Sequence, residues 1–345
     1  MDNTVVLHLV ISPWDLTDDY NRHAGALLIS FLENCSVPVN IHLLYDEALS
    51  IGKQNVENIN KIYFERIAER YNSHVHFHHV ELPSWIHTIP AVKQWTPGTL
   101  MRLCLPEILP NVDKVIYLDC DMVVNTDMNV LWNLNVDDFP LAAVPDASIS
   151  LFRHKRKKYY KQINIPYTDY FCAGTLIFNL KWMREFYPTF VSDAFSFLKE
   201  HPDLPFLDQD ILNFYFGTRY LKLDSKYNLF SSEEDALDRA KDAIIHYASS
   251  GKPWKRYIGP IDDYYWKHLI ETPWCGSKQD ALNYARKSPD IDLCFSALPD
   301  NMVIYSKGRV KLTLKRFVTM NMNIIKEGIR GIYYYLHIVV LRRRY

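Results

Sequence analysis

The chain has 345 residues, enough for about two domains, or for one large α/β domain with an appendage, at roughly 150 residues per domain. With 48% hydrophobic and 23% charged residues it has an ordinary globular composition, which excludes disorder over the whole length. Its formal charge of −1 is unevenly spread: residues 309–345 carry nine Lys or Arg against the single acid Glu327, a net of +8 that leaves −9 for residues 1–308.

In chain order, Met1-Asp-Asn-Thr-Val-Val-Leu-His-Leu-Val-Ile has neither a basic n-region nor a cleavage site, and reads as a first strand instead of a signal peptide. No apolar run reaches the length of a membrane span. Cys35, Cys104, Cys120, Cys172, Cys275 and Cys294 show no Cys-x-x-Cys spacing, which points to a reducing compartment. Strand-like runs at 5–11, 39–45 and 74–80 alternate with helical stretches around 23–34 and 54–71. That alternation predicts βαβ units and a mostly parallel sheet. His74, His76 and His78 alternate and so share one strand face; with no acid or cysteine nearby to complete a zinc site, they read as an exposed face.

A helix is expected over 99–109, then a buried strand over 115–118 within Lys114-Val-Ile-Tyr-Leu-Asp119-Cys-Asp121. Ligands of open α/β sheets gather at the carboxyl ends of strands, so Asp119 and Asp121 stand where a divalent cation carrying a phosphorylated substrate would be held. A polar strand end followed by a turn is the equal alternative for this pair alone. The run Leu141-Ala-Ala-Val ends near Asp146, at another strand end. Residues 153–158, Arg-His-Lys-Arg-Lys-Lys, read as a solvated charged face. Tyr170-Phe-Cys-Ala-Gly-Thr-Leu-Ile-Phe-Asn179 reads as a strand entered through a glycine turn, and Asp208-Gln209-Asp210 opens a helix whose dipole favours those acids. Residues 231–242 are a polar surface spacer.

His246 ends an apolar run, as Asp119 does, and Lys252 follows six residues later. A lone histidine there is a core residue; beside two carboxylates it becomes a ligand. The mixed N/O set suits Mn²⁺ better than Ca²⁺, and Lys252 would place a point charge on the same phosphates.

Five ordered segments carry a family resemblance: Thr99-Leu-Met-Arg102-Leu-Cys-Leu-Pro-Glu, Asp113-Lys-Val-Ile-Tyr-Leu-Asp-Cys-Asp, Phe171-Cys-Ala-Gly-Thr-Leu-Ile-Phe-Asn-Leu, Asp208-Gln-Asp-Ile-Leu-Asn and His246-Tyr-(x)4-Lys-Pro-Trp. The chain resembles retaining glycosyltransferases of family 8 over roughly residues 1–270. The resemblance implies a GT-A type nucleotide-binding α/β fold, a mostly parallel central sheet flanked by helices. A small basic helical region, 271–345, would follow the catalytic domain 1–270. It implies a UDP-sugar donor and Mn²⁺, with Mg²⁺ as the alternative, bound by Asp119, Asp121 and His246. Gly251 and Lys252 would grip the diphosphate. Uracil and ribose would lie in the loop from Ile11 and Ser12 to Asp19 and Tyr20, and against Cys120. Arg102, Asp146, Asp208 and Gln209 would contact the donor sugar, with Gln209 nearest the anomeric carbon. Cys172 stands where relatives commonly carry asparagine, so one donor-sugar contact differs.

A poor amide nucleophile at Gln209 favours same-face attack over a covalent double displacement. The resemblance implies transfer of glucose, galactose or an N-acetylhexosamine to a cell-surface glycan, glycolipid or glycoprotein. No nucleic-acid partner is expected. The aromatic, arginine-bounded segment 309–345 resembles an interfacial helix on an anionic leaflet, which would make the protein cytoplasmic and peripheral to the inner membrane face; docking on the core or a dimer contact is the alternative. A sugar-phosphate nucleotidyltransferase is disfavoured because Ser12-Pro-Trp lacks a glycine-rich phosphate loop. A non-catalytic carbohydrate-binding protein is disfavoured because all three metal ligands are present.

Overall fold

The computed structural model describes residues 6–13, 20–45, 54–146, 148, 154–248, 252–255, 260–275, 277 and 280. The chain divides into two units, Met1–Val303 and Ile304–Tyr345, and every described residue belongs to the first. The expectations for Asp19, Gly251 and the segment 309–345 therefore lie outside the described residues.

Ten strands are described: β1 Leu7–Ile11, β2 Val39–Tyr45, β3 His74–His79, β4 Lys114–Leu118, β5 Met122–Asn125, β6 Leu141–Pro145, β7 Phe171–Asn179, β8 Leu221–Lys222, β9 Leu229–Phe230 and β10 Ala243–His246. They form a seven-stranded sheet in the order β3-β2-β1-β4-β7-β6-β8 and a three-stranded sheet in the order β5-β10-β9. In the large sheet β1 to β4 run parallel, and β7 runs antiparallel between β4 and β6. The sheet is thus mostly parallel, as the alternation of elements predicts. Strand order reverses between β1 and β4, and such a switch point opens a crevice beyond the strands' carboxyl ends. Asp119 follows β4 directly into that crevice.

Side chains alternate across each strand, so β4 serves two cores. Val115 and Tyr117 join Val10, Leu100, Met101 and Leu212 on one face of the sheet. Ile116 and Leu118 join Leu9, Leu28, Phe31 and Ile41 on the other, under the helices Tyr20–Glu33 and Gln54–Arg70. Each such aliphatic side chain withdrawn from water contributes about 1.5–3 kcal/mol, and this two-sided burial is why the strand reads as an unbroken apolar run.

Three local features differ from the sequence expectation. The stretch expected as one helix over 99–109 is a 3₁₀ helix, Pro97–Cys104, followed by the short α-helix Leu105–Ile108. Pro106 has no N–H to donate and would crowd the carbonyl four residues back, so a continuous α-helix is blocked there. Gly174 is not an entry turn but lies inside β7, all nine of whose residues are buried. The register between β6 and β7 shifts at Ala143/Val144, leaving Ala173 to Thr175 as a bulge in β7.

The third difference concerns the histidines of β3. His76 is exposed, but His78 joins a chain from neighbouring strands: His8 Nδ1 lies 3.0 Å from His42 Nε2, and His42 Nδ1 lies 2.9 Å from His78 Nε2. Burial, then the neighbouring His78, His8 and His76, push the His42 pKa down to about 3. The chain is a hydrogen-bonded neutral network, in which His42 uses both ring nitrogens.

Candidate active site

Two sheets converge on the crevice. β4 delivers Asp119 at its end, and Asp121 stands just before β5, which pairs antiparallel with β10 so that His246 lies opposite Met122. One ligand atom from each of Asp119, Asp121 and His246 lies within 4.8 Å of the others, and among the described residues this is the only group of three or more His, Cys, Asp or Glu so arranged. His246 Nε2 is 3.4 Å from Asp121 Oδ1, and His246 Nδ1 is 2.9 Å from Asn228 Oδ1. Two carboxylates and an imidazole nitrogen, aimed at one point and partly shielded from water, fit a divalent cation of the Mn²⁺ or Mg²⁺ kind. Lys252 forms an ion pair with Asp121 and donates to the Tyr247 carbonyl at 2.8 Å. Burial opposes the charge on Asp121, but Lys252 and His246 outweigh it and hold its carboxyl far below the usual range.

The second half of the site is tied to the first by one guanidinium. Arg102, 2% exposed, reaches Asp119 Oδ1 at 2.6 Å and Asp208 Oδ2 at 3.2 Å. It also donates to the carbonyls of Ala173 at 2.6 Å and Thr99 at 3.0 Å, and stacks over Tyr117 at 4.0 Å from the ring centre. Burial works against its charge, yet Asp119 and Asp208 raise its pKa above the ordinary arginine value. Burial pushes the Asp208 carboxyl up to about 6, against the pull of Arg102.

Asp208 begins the helix Asp208–Phe216, preceded by Leu207 at φ 42°. A left-handed backbone is costly for leucine and is tolerated where the surroundings over-determine it, here to aim the next two side chains. Gln209 Oε1 accepts from the Ala173 N–H at 2.9 Å, while its Nε2 donates to Asp146 Oδ2 at 3.3 Å. The amide plane is therefore set at both ends. The β7 bulge supplies these contacts: the Ala173 carbonyl goes to Arg102 and the Gly174 carbonyl to the Asp119 N–H at 2.9 Å.

The other sequence-derived candidates distribute as follows. Ile11 is fully buried with its side chain in the core, so β1 can offer a ligand only backbone there. Ser12 turns its hydroxyl to the Gly98 carbonyl at 3.0 Å, and its own carbonyl accepts the Cys120 thiol at 3.3 Å. These contacts join the end of β1 to the 3₁₀ helix Pro97–Cys104 and to the end of β4. Tyr20 meets Trp254 edge-on with ring centres 5.9 Å apart, which brings the start of its helix to the segment carrying Lys252. Cys172 is 5% exposed, and burial lifts its thiol pKa well above the ordinary value.

Sequence reasoning missed Asn228, which supports His246, and the pair Tyr160 and Tyr170, whose hydroxyls donate to Asp210 Oδ1 at 2.6 and 2.5 Å. Asp210 therefore braces the helix that carries Gln209 and does not merely cap it. It also missed the reason for Gly174: a Cβ there would lie 2.6 Å from His246 Cε1 and 2.6 Å from Met122 Cε. The glycine in Phe171-Cys-Ala-Gly was the available signal, but its partner is 72 residues away in sequence.

The sheet order and the acidic switch-point crevice are those of the GT-A type fold. The structure of the galactosyltransferase LgtC in complex with donor and acceptor sugar analogs superposes with a TM-score of 0.62 at 22% identity, covering 78% of this chain and 99% of that one. Residues 13–257 match glycosyl transferase family 8, and the chain belongs to that family. It is 25% identical to general stress protein A of Bacillus subtilis over 288 residues, 77% of this chain and 95% of the relative. It is 24% identical to the lipopolysaccharide 1,3-galactosyltransferase of Salmonella typhimurium over 263 residues, 71% of this chain and 76% of the relative. Glycosyl transfer is the activity of the class. Among the described residues no helix is long and apolar enough to cross a membrane.

Proposed function

We propose that the protein is a retaining hexosyltransferase that moves glucose, galactose or an N-acetylhexosamine from a UDP-sugar to a cell-surface glycan or glycolipid, with Mn²⁺ as its cation. The observation that carries this reading is Arg102: one buried guanidinium holds a carboxylate of the candidate metal group, Asp119, and the carboxylate that opens the Gln209 helix, Asp208. A site built for diphosphate and sugar together needs such a fixed joint, because the bond broken lies between them.

A divalent cation held by Asp119, Asp121 and His246 would supply positive charge against the diphosphate as the sugar–phosphate bond breaks. Lys252 would turn its ammonium from Asp121 to the phosphates. Arg102 keeps Asp119 and Asp208 in register, so the sugar's hydroxyls and the diphosphate meet a preformed frame. Asp146 and Asp208 would accept from sugar hydroxyls through charge-assisted hydrogen bonds. Gln209, with its carbonyl oxygen on Ala173 N–H and its NH₂ on Asp146, is neutral and held in plane. That supports stabilisation of an oxocarbenium-like centre over covalent capture, with the acceptor attacking on the face that UDP leaves and UDP taking the acceptor's proton.

The test is UDP release from UDP-glucose, UDP-galactose and the two UDP-N-acetylhexosamines, with Mn²⁺ or with EDTA, followed by NMR of the product anomer. Release that needs the cation and yields the donor's own anomeric configuration supports the proposal. Absence of both UDP binding and UDP release, or an inverted product, overturns it.

A further inference from the structure

Asn228 belongs to no motif, yet it occupies a decisive position behind the candidate metal group. It ends the 3₁₀ turn Ser225–Asn228, immediately before β9, and β9 pairs in parallel with β10, the strand that ends on His246. The side chain is 4% exposed. Its Oδ1 lies 2.9 Å from His246 Nδ1.

A neutral imidazole has one N–H and one lone pair, and the two nitrogens are not interchangeable at a metal site. A carbonyl oxygen facing Nδ1 calls for the proton on Nδ1. The lone pair then sits on Nε2, the nitrogen that faces Asp121 Oδ1 at 3.4 Å. The other tautomer would set a lone pair against the Asn228 carbonyl and an N–H where a cation must bind. Among the described residues no other hydrogen-bond acceptor meets Nδ1. Gly174 and Phe230 shape the ring's pocket without a hydrogen bond: the glycine leaves room beside Cε1, and the Phe230 ring centre is 5.5 Å away.

We propose that Asn228 is a positioning residue for the cation site, which holds His246 in its Nδ1-protonated form and so presents Nε2 as a ligand. The proposal rests on the metal reading given above. Ligating histidines commonly donate their second ring N–H to a fixed acceptor, and loss of that acceptor weakens metal affinity about 10–100-fold. Here an amide fills the role, supplied from the second sheet. It gives orientation without adding a third negative charge behind Asp119 and Asp121.

The experiment is a titration of the full chain with Mn²⁺, read by the paramagnetic resonance of the free ion, with no sugar donor present. Asn228→Leu removes the acceptor at similar volume, and Asn228→Asp keeps it. The leucine variant is expected to bind Mn²⁺ about 10–100-fold more weakly, and the aspartate variant to stay within a few-fold of the parent. A residue that mattered only for packing would lose as much in either variant, and that result overturns the proposal, as does parental affinity in Asn228→Leu. Parent protein that binds no Mn²⁺ overturns the metal reading itself, and this proposal with it. Long-range ¹H–¹⁵N correlation spectra of the unmodified, ¹⁵N-histidine-labelled chain supply a readout that needs no variant. His246 protonated on Nδ1 is expected, and protonation on Nε2 overturns the proposal.

Discussion

Replacing Arg102 by methionine keeps an unbranched apolar stem and removes the guanidinium with its charge. Two carboxylates lose their partner, but they differ in exposure. Asp119 is 27% exposed at its side chain and can recover hydration, whereas Asp208 is 7% exposed and cannot. The cost is therefore chiefly that of stranding one buried charge and one buried carbonyl, that of Ala173. Breaking a buried pair by removing one partner costs about 3–5 kcal/mol, and the partly exposed Asp119 argues for the lower end, about 3 kcal/mol. At about 1.4 kcal/mol per factor of ten, that is roughly a hundredfold in the folded-to-unfolded ratio. The pH dependence carries a definite sign. With Arg102 present the folded Asp208 pKa is already about 6, above its ordinary 3.8, and removing the guanidinium raises it further. An acid with the higher pKa in the folded state takes up its proton there first. The penalty is thus full above that raised pKa and shrinks as pH falls from it to about 6, below which Asp208 is neutral in both folded proteins. Urea unfolding of parent and Arg102→Met at pH 7.5 and pH 5, in EDTA, measures both quantities. A loss below about 1 kcal/mol at the higher pH, or a loss that grows on acidification, would refute the reasoning.

Gly174→Ala sets a methyl 2.6 Å from His246 Cε1 and Met122 Cε, so the imidazole must move. We expect about 1–3 kcal/mol of destabilisation, seen in a thermal melt, and at least tenfold weaker Mn²⁺ binding by calorimetry; unchanged affinity would show that the ring has slack. Burial also raises the Asp210 pKa to about 6 despite its bonds from Tyr160 and Tyr170. Its share of stability is present below pH 4 and lost as pH rises through 6, about 3 kcal/mol in all, and Asp210→Asn is expected to flatten that slope in denaturant titrations. Ser30 Oγ accepts the buried Val124 N–H at 2.9 Å, joining the helix Tyr20–Glu33 to β5. Ser30→Ala leaves that donor unpaired and should cost about 1–3 kcal/mol by chemical denaturation; a neutral result would mean that the strand re-pairs.

The candidate site residues were legible where a local rule marks them. An apolar run that stops at Asp119-x-Asp121, and another that stops at His246, announce strand ends, because a strand buried on both faces cannot continue through carboxylates. Asp208-Gln209 announces a helix start for the same kind of reason. The extended helix over 99–109 was misread because proline's missing donor outweighs the periodicity of the residues around it. The histidines of β3 were read from one strand alone; their partners His8 and His42 come from strands 34 to 70 residues away. Gly174 was misread because a glycine in an apolar run signals a turn or a close approach equally well, and the approaching ring belongs to another sheet.

Local pattern and periodicity determined the α/β class and the strand ends, and picked out the candidate ligating side chains, from nearest-neighbour chemistry alone. The tertiary structure decided how they act together. It brought Asp119 and Asp208 onto one buried guanidinium, turned the β7 bulge into a set of hydrogen-bond partners, and set Asn228 behind His246. Those arrangements depend on the sheet order and on the pairing of β5, β10 and β9, which close contacts between residues far apart in the chain. Hydrogen bonds and ion pairs act over a few ångströms of space, and the sequence records only distance along the chain.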